Sequence, residues 1–135
     1  MNILIVDGQG GGVGRQLAAQ IKQAFPDVRL TAVGTNTIAT STMLKGGADS
    51  AATGENAVLV GARKADVIVG PLGIVIADSL GGEITPAMAN AIAQSDAKRI
   101  LLPFNHCDNV IVGVSDFTMG RLVQQAIEEI RKILS

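Results

Sequence analysis

The feature that most constrains this chain is a glycine-rich segment that directly follows its first apolar run. Residues 3–7 (Ile-Leu-Ile-Val-Asp) have the β-branched composition of a buried strand, and five glycines follow within positions 8–14. Residues 13–25 then place apolar side chains at helical spacing. A strand, a glycine turn and a helix start in this order predict a site where backbone N–H groups and the positive end of a helix meet an anion.

The glycine spacing is similar to the dinucleotide fingerprint of Rossmann proteins, with one extra residue before the last glycine. Gly8 is expected to make the tight turn, Gly10 to admit a pyrophosphate, and Gly14 to let the helix pack on the strand. A glycine turn that serves only tight packing is the alternative. We predict a nucleotide or phosphate site formed by Gly8, Gly10, Gly11, Gly12, Gly14 and Asn36.

The cofactor expected at this site is NADP or NAD. In NAD sites an acidic side chain near the end of the second strand binds the adenosine ribose. The corresponding segment here is Gly34-Thr35-Asn36-Thr37, which has no carboxylate. Neutral donors tolerate a 2′-phosphate, so we expect NADP(H) to bind at least as well as NAD(H). Another phosphorylated small molecule is compatible with the same residues.

Three other phosphate-binding motifs fit the segment less well. A nucleoside-triphosphatase loop needs Lys followed by Ser or Thr, whereas Arg15 and Gln16 stand at those positions. A flavodoxin-type flavin site is rich in Ser and Thr and flanked by aromatic rings, but this chain has three Phe and no Trp or Tyr. A receiver-domain phosphoswitch needs an acidic pair where Asp7 stands alone.

The rest of the chain alternates short β-branched runs with longer helical periods, which predicts one domain over residues 1–135. We predict an α/β three-layer sandwich with a mostly parallel five-stranded sheet, of Rossmann-like or flavodoxin-like topology. The predicted strands are residues 3–7, 28–33, 65–70, 99–103 and 110–114. The predicted helices are residues 13–25, 37–44, 55–64, 85–95 and 117–134, with a loop through 49–53 and a short helix or tight turn opening at 71.

A second polar cluster follows the fourth predicted strand and contains the only His and the only Cys of the chain: Asn105, His106, Cys107 and Asp108. A nucleophile with its base uses such residues, but neighbours in sequence rarely point at one another. A zinc site needs more ligands than the chain offers. We therefore assign no metal and no catalytic residue, and the roles of Asn105, His106 and Cys107 stay open.

Composition argues against several classes of partner. A net charge of −1 and three aromatic residues do not suit nucleic acid. No apolar run approaches the roughly 20 residues that span a bilayer. A single Cys cannot form an intrachain disulfide, and Met1 leads into the first strand without a basic leader. We expect a cytoplasmic protein that binds neither nucleic acid nor membrane.

The low fraction of charged residues predicts that another subunit covers part of the surface. Charged residues make up 17% of the chain, against about 25% in a typical soluble domain. We expect a homo-oligomer, most simply a two-fold dimer, with the apolar segment 72–80 as the candidate interface. The alternatives are that this segment is an internal strand and that abundant Ala and Gly account for the low charge.

Binding of a nucleotide or phosphorylated small molecule is the leading function predicted from these residues. The alternative is a non-catalytic metabolite sensor or an oligomeric assembly module using the same crevice. An enzyme would have organised acid–base groups there, and the sequence alone does not decide whether the chain is one.

Over nearly its full length the chain resembles a family of small bacterial proteins known only as a domain of unknown function. That resemblance implies no activity, substrate or catalytic residue. The likeness to Rossmann proteins covers about the first quarter of the chain and rests on the glycines. The family resemblance rests on the segments Val6-Asp7-Gly8-Gln9-Gly10-Gly11, Ala77-Asp78-Ser79, Gly82-Glu83-Ile84-Thr85-Pro86, Leu102-Pro103-Phe104-Asn105 and Val112-Gly113-Val114.

Overall fold

A computed structural model of the chain describes residues 1–104, 109–115 and 118–135. Its five strands form one all-parallel sheet: β1 (Asn2–Asp7), β2 (Arg29–Gly34), β3 (Ser50–Thr53), β4 (Val67–Pro71) and β5 (Lys98–Leu102). The α-helices are α1 (Gly12–Ala24), α2 (Thr37–Gly46), α3 (Glu55–Lys64), α4 (Pro86–Gln94) and α5 (Met119–Leu134). No helix in these described ranges is long and apolar enough to cross a membrane.

The strand order is β3-β2-β1-β4-β5, which confirms the predicted α/β sandwich. The chain steps from β1 to β2 and β3 on one side, then returns to the other side of β1 for β4 and β5. This is the order of the first five strands of a Rossmann sheet, whereas a flavodoxin sheet has the order 2-1-3-4-5. In such sheets ligands bind beyond the carboxyl ends of the strands, at the point where the order reverses. Here that point lies between β1 and β4.

Helices cover both faces of the sheet, so the strands are apolar on both sides. Ile3 and Ile5 of β1 pack in the cluster that also includes residues of α1, α2 and α5. Leu4 and Val6 point the other way, into the cluster that includes residues of α3 and α4. All four side chains are at most 2% exposed. The switch point is therefore framed by α1 on one face and by the β4–α4 connection on the other.

One predicted strand was wrong, and one strand was missed. Residues 50–53, predicted as a loop, form edge strand β3, which pairs with β2 in the register Thr31↔Ser50 to Gly34↔Thr53. Its residues are small, with Ser50 and Ala51 partly buried and Ala52 and Thr53 exposed, so it lacks the apolar alternation of a strand. Residues 110–114, predicted as a strand, are absent from the sheet in the described part of the chain. Val110 and Val112 are 86% and 94% exposed.

The segment proposed as an interface packs largely inside the protein. A single turn of 3-10 helix, Leu72–Val75, follows β4 directly and agrees with the predicted short helix or turn at Pro71. Ile74 and Leu80 are fully buried against the face of the sheet that carries α3 and α4. The apolar character of residues 72–80 therefore reflects the core of the monomer, and the segment is neither a sheet strand nor an exposed patch.

Candidate functional site

Asp7, the last residue of β1, holds the glycine turn in place through hydrogen bonds to its backbone. Its side chain is 3% exposed, and its two carboxylate oxygens each accept one backbone N–H, from Gly8 at 2.8 Å and from Gly14 at 2.7 Å. Burial raises the pKa of Asp7, an effect opposed by these two hydrogen bonds and increased by the charge of Glu83. Asp7 thus ties the start of α1 to the end of β1.

The first turn of α1 keeps backbone donors available. The N–H of Gly11 donates to the Gly8 carbonyl at 2.9 Å, and Gly14 is bound by Asp7. In the described part of the chain, the N–H groups of Gly10, Gly12 and Val13 have no acceptor, and the N-cap residue Gly11 has no side chain that could supply one. Donors at a helix start require a partner from solvent or a ligand. The positive end of α1 therefore lies at the carboxyl ends of the strands, where ligands bind in such sheets. We call this region, between the glycine turn, the end of β2 and Glu83, the crevice.

The glycines of the turn fall into two groups. A Cβ at Gly8 would lie 2.6 Å from Thr35 Oγ1, and one at Gly11 would lie 2.8 Å from Ala39 Cα. A Cβ at Gly14 would collide with the Met43 side chain. A Cβ at Gly10 or Gly12 meets nothing within 4 Å among the described residues. Packing therefore requires Gly8, Gly11 and Gly14, whereas Gly10 and Gly12 leave open space beside the unpaired donors.

A carboxylate missed by sequence reasoning reaches the end of β2. Glu83, in the connection between the 3-10 turn and α4, accepts three hydrogen bonds on Oε1. The donors are Thr35 Oγ1 at 2.6 Å, Asn36 Nδ2 at 2.8 Å and the Gln9 N–H at 2.9 Å. The Thr35 hydrogen bond is the main cause of a lowered Glu83 pKa, assisted by Gln9 and Asn36 and opposed by burial. The expectation of NADP(H) rested on the absence of an acid at the end of β2, and that premise is wrong because Glu83 supplies a carboxylate there.

Asn36 organises this region through all of its amide atoms. Its Oδ1 accepts the Ala39 N–H at 2.8 Å, which caps the start of α2. Its Nδ2 donates to the Gln9 carbonyl at 3.0 Å and to Glu83. The predicted site residue lies beside the glycine turn, where it holds the β1–α1 turn and the β2 end together.

The two loops joined by Glu83 carry unusual backbone conformations. Gln9, Asp78 and Leu80 have positive φ angles of 51°, 66° and 56°, and no other non-glycine residue in the described part of the chain does. The loop with Asp78 and Leu80 is closed by a 2.7 Å hydrogen bond from the Asp78 N–H to the Ile84 carbonyl. Such conformations cost free energy and cluster at functional sites. Their position supports the crevice as the candidate site.

The second polar cluster predicted from the sequence, Asn105, His106, Cys107 and Asp108, lies outside the described residues. Among residues 1–104, 109–115 and 118–135, no three His, Cys, Asp or Glu side chains gather as a metal site would require.

The fold and the turn define a class: Rossmann-like α/β domains with an open helix N-terminus at the switch point of the sheet. The chain belongs to the family described as domain of unknown function DUF3842, whose model matches residues 2–135. This confirms the family resemblance predicted from the sequence. No curated protein matches the chain.

One solved structure similar to the chain is the crystal structure of a dodecameric FMN-dependent UbiX-like decarboxylase from Escherichia coli O157:H7. The two share 17% sequence identity over 97% of this chain and 77% of that chain, with a TM-score of 0.49.

Proposed function

We propose that the crevice binds a nucleotide or another phosphorylated small molecule, whose phosphate oxygens accept hydrogen bonds from the N–H groups of Gly10, Gly12 and Val13. The observation that carries this proposal is the set of three backbone donors without acceptors in the described chain, next to open space at both glycines. A phosphate fits because it offers several acceptor oxygens and a negative charge at the positive end of α1.

The turn is prepared for an anion before one binds. Asp7 fixes the N–H groups of Gly8 and Gly14, and Gly11 adopts the left-handed conformation with φ 76° that starts the helix. These contacts fix the backbone on either side of Gly10, Gly12 and Val13, so these three donors lose little freedom on binding and more of their interaction contributes to affinity. An anion at a helix N-terminus gains about 0.3–1 kcal/mol from the helix dipole, in addition to these hydrogen bonds.

Dinucleotides are the first members of this class to test. The strand order is that of dinucleotide-binding sheets, and the turn lies at the switch point where their pyrophosphate binds. NAD(H) and NADP(H) are therefore suitable first probes, followed by mononucleotides and phosphorylated metabolites in a thermal-shift screen. A ligand at a hundred times its Kd should stabilise the fold by about 2.7 kcal/mol.

A valine at position 10 tests the site directly. Gly10→Val should leave the unfolding midpoint close to that of the parent, because a Cβ there meets nothing in the described chain. The same side chain should block the phosphate and weaken binding at least about tenfold in calorimetry, which is about 1.4 kcal/mol. The control is Gly120→Val in the first turn of α5, where a Cβ also meets no described atom. Parent-like affinity in Gly10→Val, or equal losses in both variants, would place the site elsewhere.

We also propose that the chain is a cytoplasmic homo-oligomer, most simply a two-fold dimer. Its 17% charged residues support a covered surface, and its single Cys suits a reducing compartment. Large apolar side chains are available on the described surface at Ile38, Val110 and Val112, which are 68%, 86% and 94% exposed. These residues replace segment 72–80 as the candidate contact.

A further inference from the structure

One edge of the sheet, at β5, has no neighbouring strand. β5 ends the strand order, so no strand in the described part of the chain pairs with its outer side. Lys98 donates its N–H to the Asp66 carbonyl on the β4 side at 3.0 Å, and successive residues of a strand direct their backbone groups to opposite sides. The N–H and C=O groups of Arg99 and Leu101 therefore point away from β4, where no described residue pairs with them.

A groove runs along this edge between β5 and α5, and we call it the β5 groove. Its larger part is a cavity of about 640 Å³ whose apolar lining includes Ile100, Leu102, Leu122 and Ala126. A second cavity, of about 510 Å³, continues along the first residues of β5 and shares Ile100 and Leu101 with the first. The β5 groove thus places apolar side chains beside unpaired backbone groups, which suits an added peptide segment better than a small molecule.

An uncovered apolar turn lies at residues 110–114. The Val114 N–H donates to the Ile111 carbonyl at 3.2 Å, and Gly113 has a φ of 86°, as the third position of a type II turn requires. Val110, Val112 and Val114 are 86%, 94% and 41% exposed. Three exposed valines within five residues form a patch rather than an isolated side chain, and covering such a patch is favourable because apolar surface leaves water.

The turn and the β5 groove are compatible in charge. Residues 110–114 (Val-Ile-Val-Gly-Val) carry no charge. The two acids that line the groove, Glu128 and Glu129, form salt bridges with Arg131 and Lys132 of the same helix, at 3.6 and 3.2 Å. An uncharged segment in the groove leaves these pairs intact, whereas a charged segment would compete with them.

A second copy of the chain is the partner that supplies this segment. Within one chain the turn does not enter the groove, since Val110 and Val112 are almost fully exposed. The N–H groups of Val110 and Ile111 have no acceptor in the described part of the chain, so they can pair with the outer carbonyls of Arg99 and Leu101. A two-fold axis lets each copy insert its turn into the groove of the other, which covers both surfaces at once.

We infer that the turn at residues 110–114 of one copy docks in the β5 groove of a second copy, with the backbone of Val110 and Ile111 pairing along the outer edge of β5. The inference rests on the proposed homo-oligomer and names the surface that receives its exposed valines. It also accounts for the strand-like composition of residues 110–114, which form no strand within one chain.

Cross-linking between two singly substituted chains tests this docking. In a Cys107→Ser background, which removes the only native thiol, one chain carries Val112→Cys and the other carries Gln125→Cys, at an exposed position of the groove. When the two chains are co-expressed and treated with a short thiol-reactive cross-linker, they should link at least about tenfold faster than in the control, because docking holds the thiols close together. The control replaces Gln125→Cys by Gln94→Cys, at an exposed glutamine of α4 on the other face of the sheet.

The outcomes separate the docking from the oligomer itself. A parent mass near 13.9 kDa in light scattering overturns the homo-oligomer and, with it, this inference. An oligomeric parent whose linking through Gln125→Cys is no faster than through Gln94→Cys overturns the docking and leaves the oligomer standing. Linking that occurs only within single chains carrying both Val112→Cys and Gln125→Cys overturns the docking as well, since the turn would then fill its own groove.

Discussion

At the residue scale, two carboxylates beside the glycine turn differ in burial, in the direction of their pKa shifts and in the contacts that they make. Asp7 is buried, has a raised pKa and holds the backbone of the turn. Glu83 lies in the crevice, has a lowered pKa and retains a free oxygen within the described chain. Asp7 therefore fixes the start of α1, whereas Glu83 joins the glycine turn to the end of β2.

Replacing Asp7 by Asn tests its structural role. Both Asp7 oxygens accept backbone N–H groups, so an amide would place its NH₂ against one of those donors. Leaving a buried donor without an acceptor costs about 1–3 kcal/mol. Asp7→Asn should lower the free energy of unfolding by that amount in urea denaturation, whereas Asp96→Asn on the exposed surface should change it by less than about 0.5 kcal/mol. An unchanged urea midpoint for Asp7→Asn would show that these hydrogen bonds make no net contribution to the free energy of unfolding.

At the scale of elements, the sequence predicts what depends on local pattern. The helices predicted over residues 85–95 and 117–134 rest on local signals, and the structure has α4 (Pro86–Gln94) and α5 (Met119–Leu134) there. β3 forms by pairing its backbone with β2, and its Ser-Ala-Ala-Thr sequence has no strand pattern of its own. Residues 110–114 show the converse error, because β-branched residues alone do not place a segment in a sheet.

In the candidate site, too, some features could be predicted from local sequence and others depend on the fold. The glycine turn could be predicted because strand, turn and helix start are contiguous in the sequence. The contact of Glu83 with Gln9 spans 74 residues and depends on the switch in strand order, which no local pattern encodes. The glycine spacing predicts packing for Gly14 and an open position for Gly10, but it does not distinguish Gly11 from Gly12, because Ala39, the neighbour that Gly11 contacts, comes from another part of the chain.

At the scale of the whole molecule, the proposed homo-oligomer is tested by its mass in solution. Light scattering at low micromolar concentration should give a mass of at least about twice 13.9 kDa. Val112→Asp should reduce that mass without unfolding the monomer, because Val112 is 94% exposed. A parent mass near 13.9 kDa would rule out the oligomer, and an unchanged mass in Val112→Asp would move the contact to another surface.

We propose that the open N-terminus of α1 binds a phosphate, and amide chemical shifts report on this binding most directly. In a nitrogen-15 NMR titration with NAD⁺, we expect saturable shifts at the amides of Gly10, Gly12 and Val13, because these donors lack acceptors in the described chain. The amide of Gly14, already bound by Asp7, should move less. Saturable shifts centred outside the crevice, or a complete titration of the nucleotide panel that leaves these three amides unmoved, would contradict phosphate binding at the start of α1.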